Sequence, residues 1–191
     1  MTKHIIIAGV PRAGKSTVSQ MIAKMFSYQH ISMDSIIAGF EKAFPQVGID
    51  TGADGDVIEN VQNISAKIAP FLRAMMDSGE YDECDYGMVI DVFQLLPEDY
   101  RMHIDPAVCE IYYFITSDVT AEERFELLKQ YDTPKDYTYY KSDEENRKDC
   151  AEIVAISKWM KEQCQKYAVP CFETAKERNK VLADFVSCIK A

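Results

Sequence analysis

Apolar positions along the chain alternate between a strand period and a helix period from start to finish. His4-Ile5-Ile6-Ile7-Ala8 is a short continuous apolar run, rich in β-branched residues, that ends at Gly9. That is the pattern of a strand buried on both faces. Val18, Met21, Ile22, Met25 and Phe26 then recur at helical spacing and predict a helix over Lys15–Phe26. A second strand is predicted from Gln29 to Met33, ending at Asp34, followed by a short helix that Pro45 stops near Phe44. Ile58, Val61, Ile64, Ile68, Phe71 and Met75 mark a long helical stretch opened by Asp56-x-x-Glu59, which resembles a capping box. Pro70 lacks an amide hydrogen and is expected to kink or split that stretch. Tyr86–Asp91 and Cys109–Ile115 predict the third and fourth strands, and Thr120-x-x-Glu123 caps a helix carrying Phe125, Leu128 and Tyr131 on one face. A polar, tyrosine-rich connection from Asp132 to Lys141 has no apolar period. Ser142-x-x-Glu145 opens another long helix, with Ile153, Ile156, Met160 and Cys164 or Tyr167 inward and Trp159 read as core. A short fifth strand, Ala168–Phe172, and a closing helix through Val181, Leu182, Phe185 and Ile189 complete the chain. Strands alternating with helices predict an α/β fold with a mostly parallel sheet.

Length and composition narrow the class. The 191 residues fit a single domain, long enough to bury roughly 70% of the surface its unfolded form exposes. No run approaches the eighteen or so apolar residues of a membrane span. Met1-Thr2-Lys3-His4 leads straight into a strand with no signal-peptide pattern, which predicts a cytoplasmic protein. Cys84, Cys109, Cys150, Cys164, Cys171 and Cys188 are scattered singly, and His4, His30 and His103 make no metal-ligand spacing with them. Reduced thiols are therefore expected. The net charge of −10 argues against a nucleic-acid backbone as partner, since that needs a basic footprint. It leaves room for one bound nucleotide, because a phosphate site needs only a few local donors.

Those donors are present. Gly9-Val10-Pro11-Arg12-Ala13-Gly14-Lys15-Ser16 is a complete Walker A pattern that follows a predicted strand and opens a predicted helix. A chance match in a chain of this size is on the order of one in a hundred, and the setting is the confirming one. Gly9 and Gly14 let the backbone turn and bring its amide hydrogens against phosphate oxygens, with the helix N-terminus adding positive potential. Lys15 places a point charge on the β- and γ-phosphates, Ser16 can ligate magnesium, and the Thr17 hydroxyl reaches the α-phosphate.

Carboxylates and cations later in the chain extend the site. Asp34, at the carboxyl end of the second strand, stands where α/β proteins place ligands. It can hold an attacking hydroxyl or take its proton; the bland alternative is a cap on the following helix. Asp91 closes the hydrophobic strand Met88-Val89-Ile90 as a Walker B acid does, on the magnesium side. Arg124 and Arg147 each sit one turn into a helix flanking the polar connection, which also contains Lys135 and Lys141. That clustering predicts a lid over residues 132–147. Arg73 is a candidate for an anionic group on the substrate, and Tyr137, Tyr139 and Tyr140 are read as ordinary loop packing.

Together these residues resemble the small P-loop kinases, the group of shikimate kinase, the nucleoside monophosphate kinases and the zeta-toxin-like sugar-nucleotide kinases. The likeness covers nearly the whole chain in layout, with the Walker A loop as its one sharp motif. It implies a three-layer P-loop NTPase fold, with a five-stranded parallel sheet in the order 2-3-1-4-5, helices on both faces and a small lid. It implies ATP and Mg2+ as cofactors and a small-molecule hydroxyl as acceptor. By the same resemblance Gly9 to Thr17 form the phosphate loop, with Lys15 and Ser16 in their usual roles. Asp34 contacts the acceptor hydroxyl, Asp91 lies beside magnesium, Arg124 or Arg147 closes on ATP, and Thr174, Ala175 and Lys176 cradle adenine. Residues 36–83 become the acceptor-binding region. The chain also departs from the group. Adenylate-kinase-like members carry Asp-Gly-Phe-Pro-Arg after the third strand, where this chain has Asp91-Val92-Phe93-Gln94-Leu95-Leu96-Pro97. The glycine-rich carboxylate-binding run of shikimate kinase is also missing. Two other classes fit the same loop, a regulatory ATPase or switch acting through a protein partner and a polynucleotide 5′-hydroxyl kinase. The charge of −10 weighs against the second, and the lack of an Asn-Lys-x-Asp signature weighs against a GTPase.

Overall fold

The computed structural model describes residues 4–52, 55–77 and 87–189. Five strands, β1 (His4–Gly9), β2 (Gln29–Ser32), β3 (Met88–Val92), β4 (Cys109–Ile115) and β5 (Cys171–Glu173), form one sheet. Its order is β2-β3-β1-β4-β5, and every neighbouring pair is parallel. The order is the one the resemblance implies. Among the described residues seven α-helices connect the strands: α1 (Lys15–Phe26), α2 (Met33–Ala43), α3 (Val57–Met76), α4 (Pro97–His103), α5 (Ala121–Tyr131), α6 (Asp143–Lys166) and α7 (Arg178–Cys188).

The central strand explains the three layers. Side chains along β1 alternate, and both faces are apolar. Ile6 and Ala8 pack with Met33 and Ile37 of α2 and Ile64, Ile68 and Leu72 of α3. Ile5 and Ile7 pack with Val18 and Ile22 of α1 and Leu182 and Phe185 of α7. Each fully buried isoleucine of this strand contributes about 2 kcal/mol through the water it sheds. Capping fixes where the long helices start. Asp56 accepts from the amides of Ile58 and Glu59 at 2.8 and 3.4 Å. Thr120 with Glu123, and Ser142 with Glu145, make complete capping boxes at α5 and α6.

Four elements differ from the sequence reading. α3 runs unbroken through Pro70; buried Ile64, Ile68 and Leu72 on one face hold the helix together across the missing amide. α4 was not anticipated; seven residues are too few to show a period, although Pro97 at its start is a favoured first helical residue. The last strand begins at Cys171 and not at Ala168, because Ala168 adopts φ 51° in the turn that ends α6. Pro170, next before the strand, has no amide to give to the sheet. The polar connection is folded, with a 3-10 turn over Tyr137–Tyr140 and Asn146 Nδ2 donating to the Thr138 carbonyl at 2.9 Å. Tyr86, and residues 53–54 and 78–83 of the expected acceptor region, lie outside the described residues. Among those described, no helix is long and apolar enough to cross a membrane.

The tightest point of the sheet is the end of β1. Gly9 has φ 122°, and a Cβ built there would lie 2.0 Å from the Phe114 carbonyl oxygen of β4. Gly9→Ala is therefore expected to lower unfolding stability by more than about 3 kcal/mol, measured by urea denaturation. A loss under about 1 kcal/mol would mean that β4 gives way easily.

Candidate active site

The site is built where β1, β2, β3 and β4 end. The chain leaves the sheet at Gly9, and the Val10 amide donates to the Phe114 carbonyl at 3.1 Å, which pins the first residue of the phosphate loop to β4. Arg12 at φ 64° and Gly14 at φ 103° carry the loop through left-handed conformations into α1. The first helical hydrogen bond of α1 is Val18 N to Gly14 O at 3.0 Å. The amides before it have no intrahelical acceptor and form an anion-binding end. Ser16 and Thr17 are exposed on that end.

Lys15 is a buried charge. It is 7% exposed, and its ammonium donates to the Val10 carbonyl at 3.0 Å. Burial lowers its pKa to about 8; the fields of Asp34 and Asp91 push upward and that of Arg124 downward. Asp34 lies in the first turn of α2, inside the helix, so the cap position falls to Ser32. Its side chain reaches solvent at one side, yet the surrounding protein raises its pKa by desolvation, opposed by Lys15 and reinforced by Asp91. Asp91 is 1% exposed. Its oxygens are met from β2, by His30 Nε2 at 2.5 Å and by the Ser32 hydroxyl at 3.3 Å.

His30 is the residue that sequence reasoning passed over. Strand alternation puts His30 and Ser32 on one face of β2, but the register pairing Ser32 with Asp91 is needed to see what they touch. The donors here are a hydroxyl and two carboxylates, hard oxygens of the kind magnesium takes. Among the described residues there is no cluster of three or more His, Cys, Asp or Glu side chains able to hold a metal.

Arg124 is nearly buried at 9% exposure. Its guanidinium donates to the Thr116 hydroxyl at 2.8 Å and to the Pro11 carbonyl at 2.9 Å. Its Nε is shut off from solvent without a partner, and burial lowers its pKa. Arg12 reaches the other way, to Asp132 at 3.2 Å and to Asp136, so the loop is tied to the polar connection. A cleft of about 760 Å³ opens beside the loop and includes Lys15, Thr17, Arg124, Tyr131, Thr174 and Lys176 in its walls. That is within the roughly 300–1,000 Å³ of small-molecule sites. Thr174 is fastened there by its hydroxyl and amide to the Ile115 carbonyl at 3.0 and 2.9 Å, and the Ala175 amide donates to Glu173 at 2.9 Å. Arg178, not singled out from sequence, also lines this cleft and donates to the Thr17 hydroxyl at 3.4 Å.

The remaining candidates sit elsewhere. Arg147 lies 4.0 Å above the Phe125 ring, with Glu122 at 3.5 Å, outside the cleft lining. Arg73 is exposed on α3 and pairs with Asp77 one turn on. Lys141 pairs with Asp149 at 2.6 Å. The structure thus gathers Lys15, Asp34, Asp91 and Arg124 around the phosphate loop and leaves Arg147 and Arg73 apart from it.

No family model matches the chain. Over 90 residues it is 31% identical to an adenylate kinase of Clostridium botulinum, a stretch spanning 47% of this chain and 39% of that relative. In fold it is similar along nearly its whole length to a sugar kinase of a Janibacter species, at TM-score 0.57 and 12% identity over 98% of this chain and 94% of the other. A shikimate kinase of Bacteroides thetaiotaomicron matches at TM-score 0.53 and 16% identity, over 97% of this chain and 94% of the other. At such identities the likeness establishes the fold, which is that of the small P-loop kinases.

The buried ammonium has a thermodynamic consequence. The folded-state pKa of Lys15, about 8, lies below its ordinary 10.5. The unfolded chain therefore binds the extra proton between those values, and stability rises with pH across that window. Lys15→Met keeps the length and removes the charge. At pH 7 it is expected to be more stable than the wild type by about 1–3 kcal/mol in urea denaturation. The gap should close between pH 8 and 10.5; a gap that is absent or constant with pH would show that Lys15 carries no such penalty.

Proposed function

We propose that the protein is a kinase that transfers the γ-phosphoryl group of ATP, with Mg2+, to a hydroxyl of a small molecule. The observation that carries this reading is a solvent-reaching carboxylate, Asp34, coupled electrostatically to the buried ammonium of Lys15 at the phosphate loop. A protein that only holds a triphosphate needs the loop alone, whereas a carboxylate beside the loop can orient an attacking hydroxyl. The partial identity with an adenylate kinase and the fold of small P-loop kinases support the same class.

The roles follow from position. The amides of Gly14, Lys15 and Ser16 hold phosphate oxygens at the helix end, where the dipole favours negative charge. Lys15 neutralises the transferring group, and Arg124 adds a second cation held in line by Thr116 and Pro11. Ser16 and Asp91 would hold magnesium, which supplies charge neutralisation between the β- and γ-phosphates when bound. Asp34 orients the acceptor hydroxyl and takes its proton as the oxygen bonds to phosphorus and the bond to the ADP oxygen breaks. Its raised pKa makes it a better proton acceptor than an ordinary carboxylate. Thr174, Ala175 and Lys176 line the end of the cleft that fits the base, and the 132–147 segment, tied to the loop through Arg12, serves as the lid.

Acceptor-dependent turnover of labelled ATP is the decisive measurement. Lys15→Ala is expected to lower transfer by at least about 10²-fold. Asp34→Asn should lower kcat by about 10²–10⁴-fold while ATP affinity stays within about threefold. Full activity in either variant, or ATP hydrolysis that no hydroxyl compound stimulates, would overturn the reading.

A further inference from the structure

One cation on the wall of the cleft has no part in the transfer chemistry described so far. Arg178 opens α7, and that helix is seated on the phosphate loop by Leu182, which is 3% exposed and packs with Val18 and Ile22 of α1. Arg178 lies one turn before Leu182 and shares its face of the helix. A β-carbon built on Gly14 would lie 2.8 Å from Leu182 Cδ1 and 3.2 Å from Arg178 Nε. The guanidinium is therefore held beside the last glycine of the loop, where α1 begins.

Within the protein this guanidinium is little used. Among the described residues it makes one hydrogen bond, to the Thr17 hydroxyl at 3.4 Å, although a guanidinium carries five N–H donors. The other two arginines on this wall are occupied, Arg12 by Asp132 and Asp136 and Arg124 by Thr116 and Pro11. Arg178 is open to the cleft; desolvation by its surroundings and the like charge of Arg12 lower its pKa, with Asp136 opposing them. Thr17 is exposed too, and its amide has no intrahelical acceptor, since the first helical bond of α1 starts from Val18. A main-chain amide, a hydroxyl and a guanidinium with donors to spare thus meet at one helix end, which is a donor set suited to phosphate oxygens.

That spot lies off the transfer centre. Lys15 feels Asp34, Asp91 and Arg124, whereas Arg178 feels Arg12 and Asp136. Arg178 also follows directly on Thr174, Ala175 and Lys176, the stretch between β5 and α7 at the base end of the cleft. A charge placed there meets the phosphates nearer the base and not the γ-phosphoryl group that leaves.

We propose that Arg178 is a nucleotide-binding residue that holds, together with Thr17, a phosphate that stays with the nucleotide as ADP. This rests on the kinase reading. It holds substrate and transition state alike, so it acts on ATP affinity and not on the chemical step. Titration calorimetry of Arg178→Gln with ATP, ADP and inorganic tripolyphosphate tests it. All three Kd values are expected to rise by at least about tenfold. The ATP KM should rise in step while kcat stays within about threefold. The melting temperature of the nucleotide-free variant should be unchanged or higher, because a charge facing Arg12 is gone. Arg178→Lys keeps the charge without the planar fork and should recover part of the affinity. A loss for ATP but not ADP would place the guanidinium on the γ-phosphate, and a loss for both nucleotides but not tripolyphosphate would place it on the base; either overturns the assignment. So does an affinity that Arg178→Gln leaves alone, or a loss that comes with a lower melting temperature of the free protein, and the kinase reading then still stands on transfer by the wild type. Wild-type protein that binds none of the three removes the kinase reading and this inference with it.

Discussion

The structure depends on β1 leaving the sheet within a single residue. A β-carbon at Gly9 would sit inside the backbone of β4, so only glycine lets the chain turn while still touching its neighbour. Because it stays in contact, the Val10 amide reaches Phe114, and the loop starts from a fixed origin. Arg124 completes the arrangement by bridging the Pro11 carbonyl to Thr116, the residue that follows β4. The phosphate loop is therefore braced at its first residue on β4 and at Pro11 on the residue just past that strand. A loop so braced presents its amides in one geometry, and preorganised dipoles stabilise charge without a reorganisation cost at the moment of reaction.

That bracing concentrates charge that the protein alone does not balance. Lys15 and Arg124 are both buried cations whose pKa values burial lowers, and Asp34 is a carboxylate whose pKa burial raises. Each group is held in a state less comfortable than it would have in water. The two cations lie close enough to oppose each other, since Arg124 depresses Lys15. An anion placed against the loop relieves both at once, which makes its binding stronger than an equal number of surface lysines would give. The strain is local, and the apolar layers on both faces of β1 hold it in place.

How much of this could be read from the sequence depended on what kind of structure carries each part. The loop was legible because its function lies in the backbone: glycines at fixed offsets, a lysine and a hydroxyl at a helix start leave a linear signature. The sheet order matched the resemblance because alternation of strands and helices leaves few topologies. Pro70 was expected to kink or split the helix because a local propensity was weighed against nothing, whereas α3 is not split and buries a full apolar face. His30 went unseen because its meaning lies in a partner 61 residues away, and no spacing rule spans two strands brought together by register. Arg178 was missed for the same reason, being carried to the loop by α7 from the far end of the chain.

The same distinction separates the two halves of the site. The phosphate-loop half is made of main-chain amides and a helix end, with Lys15 and Arg124 as buried cations beside them. The other half is made of side chains: Asp34 from α2, and His30 and Ser32 of β2 meeting Asp91 of β3, which depend on the register of the two strands. The loop after β3 is anchored separately, by the Tyr113 hydroxyl on Leu95 and by Ser65 on Leu96. Side chains beyond the ends of β2 and β3 can therefore change without moving the phosphate loop, which β1 and β4 hold.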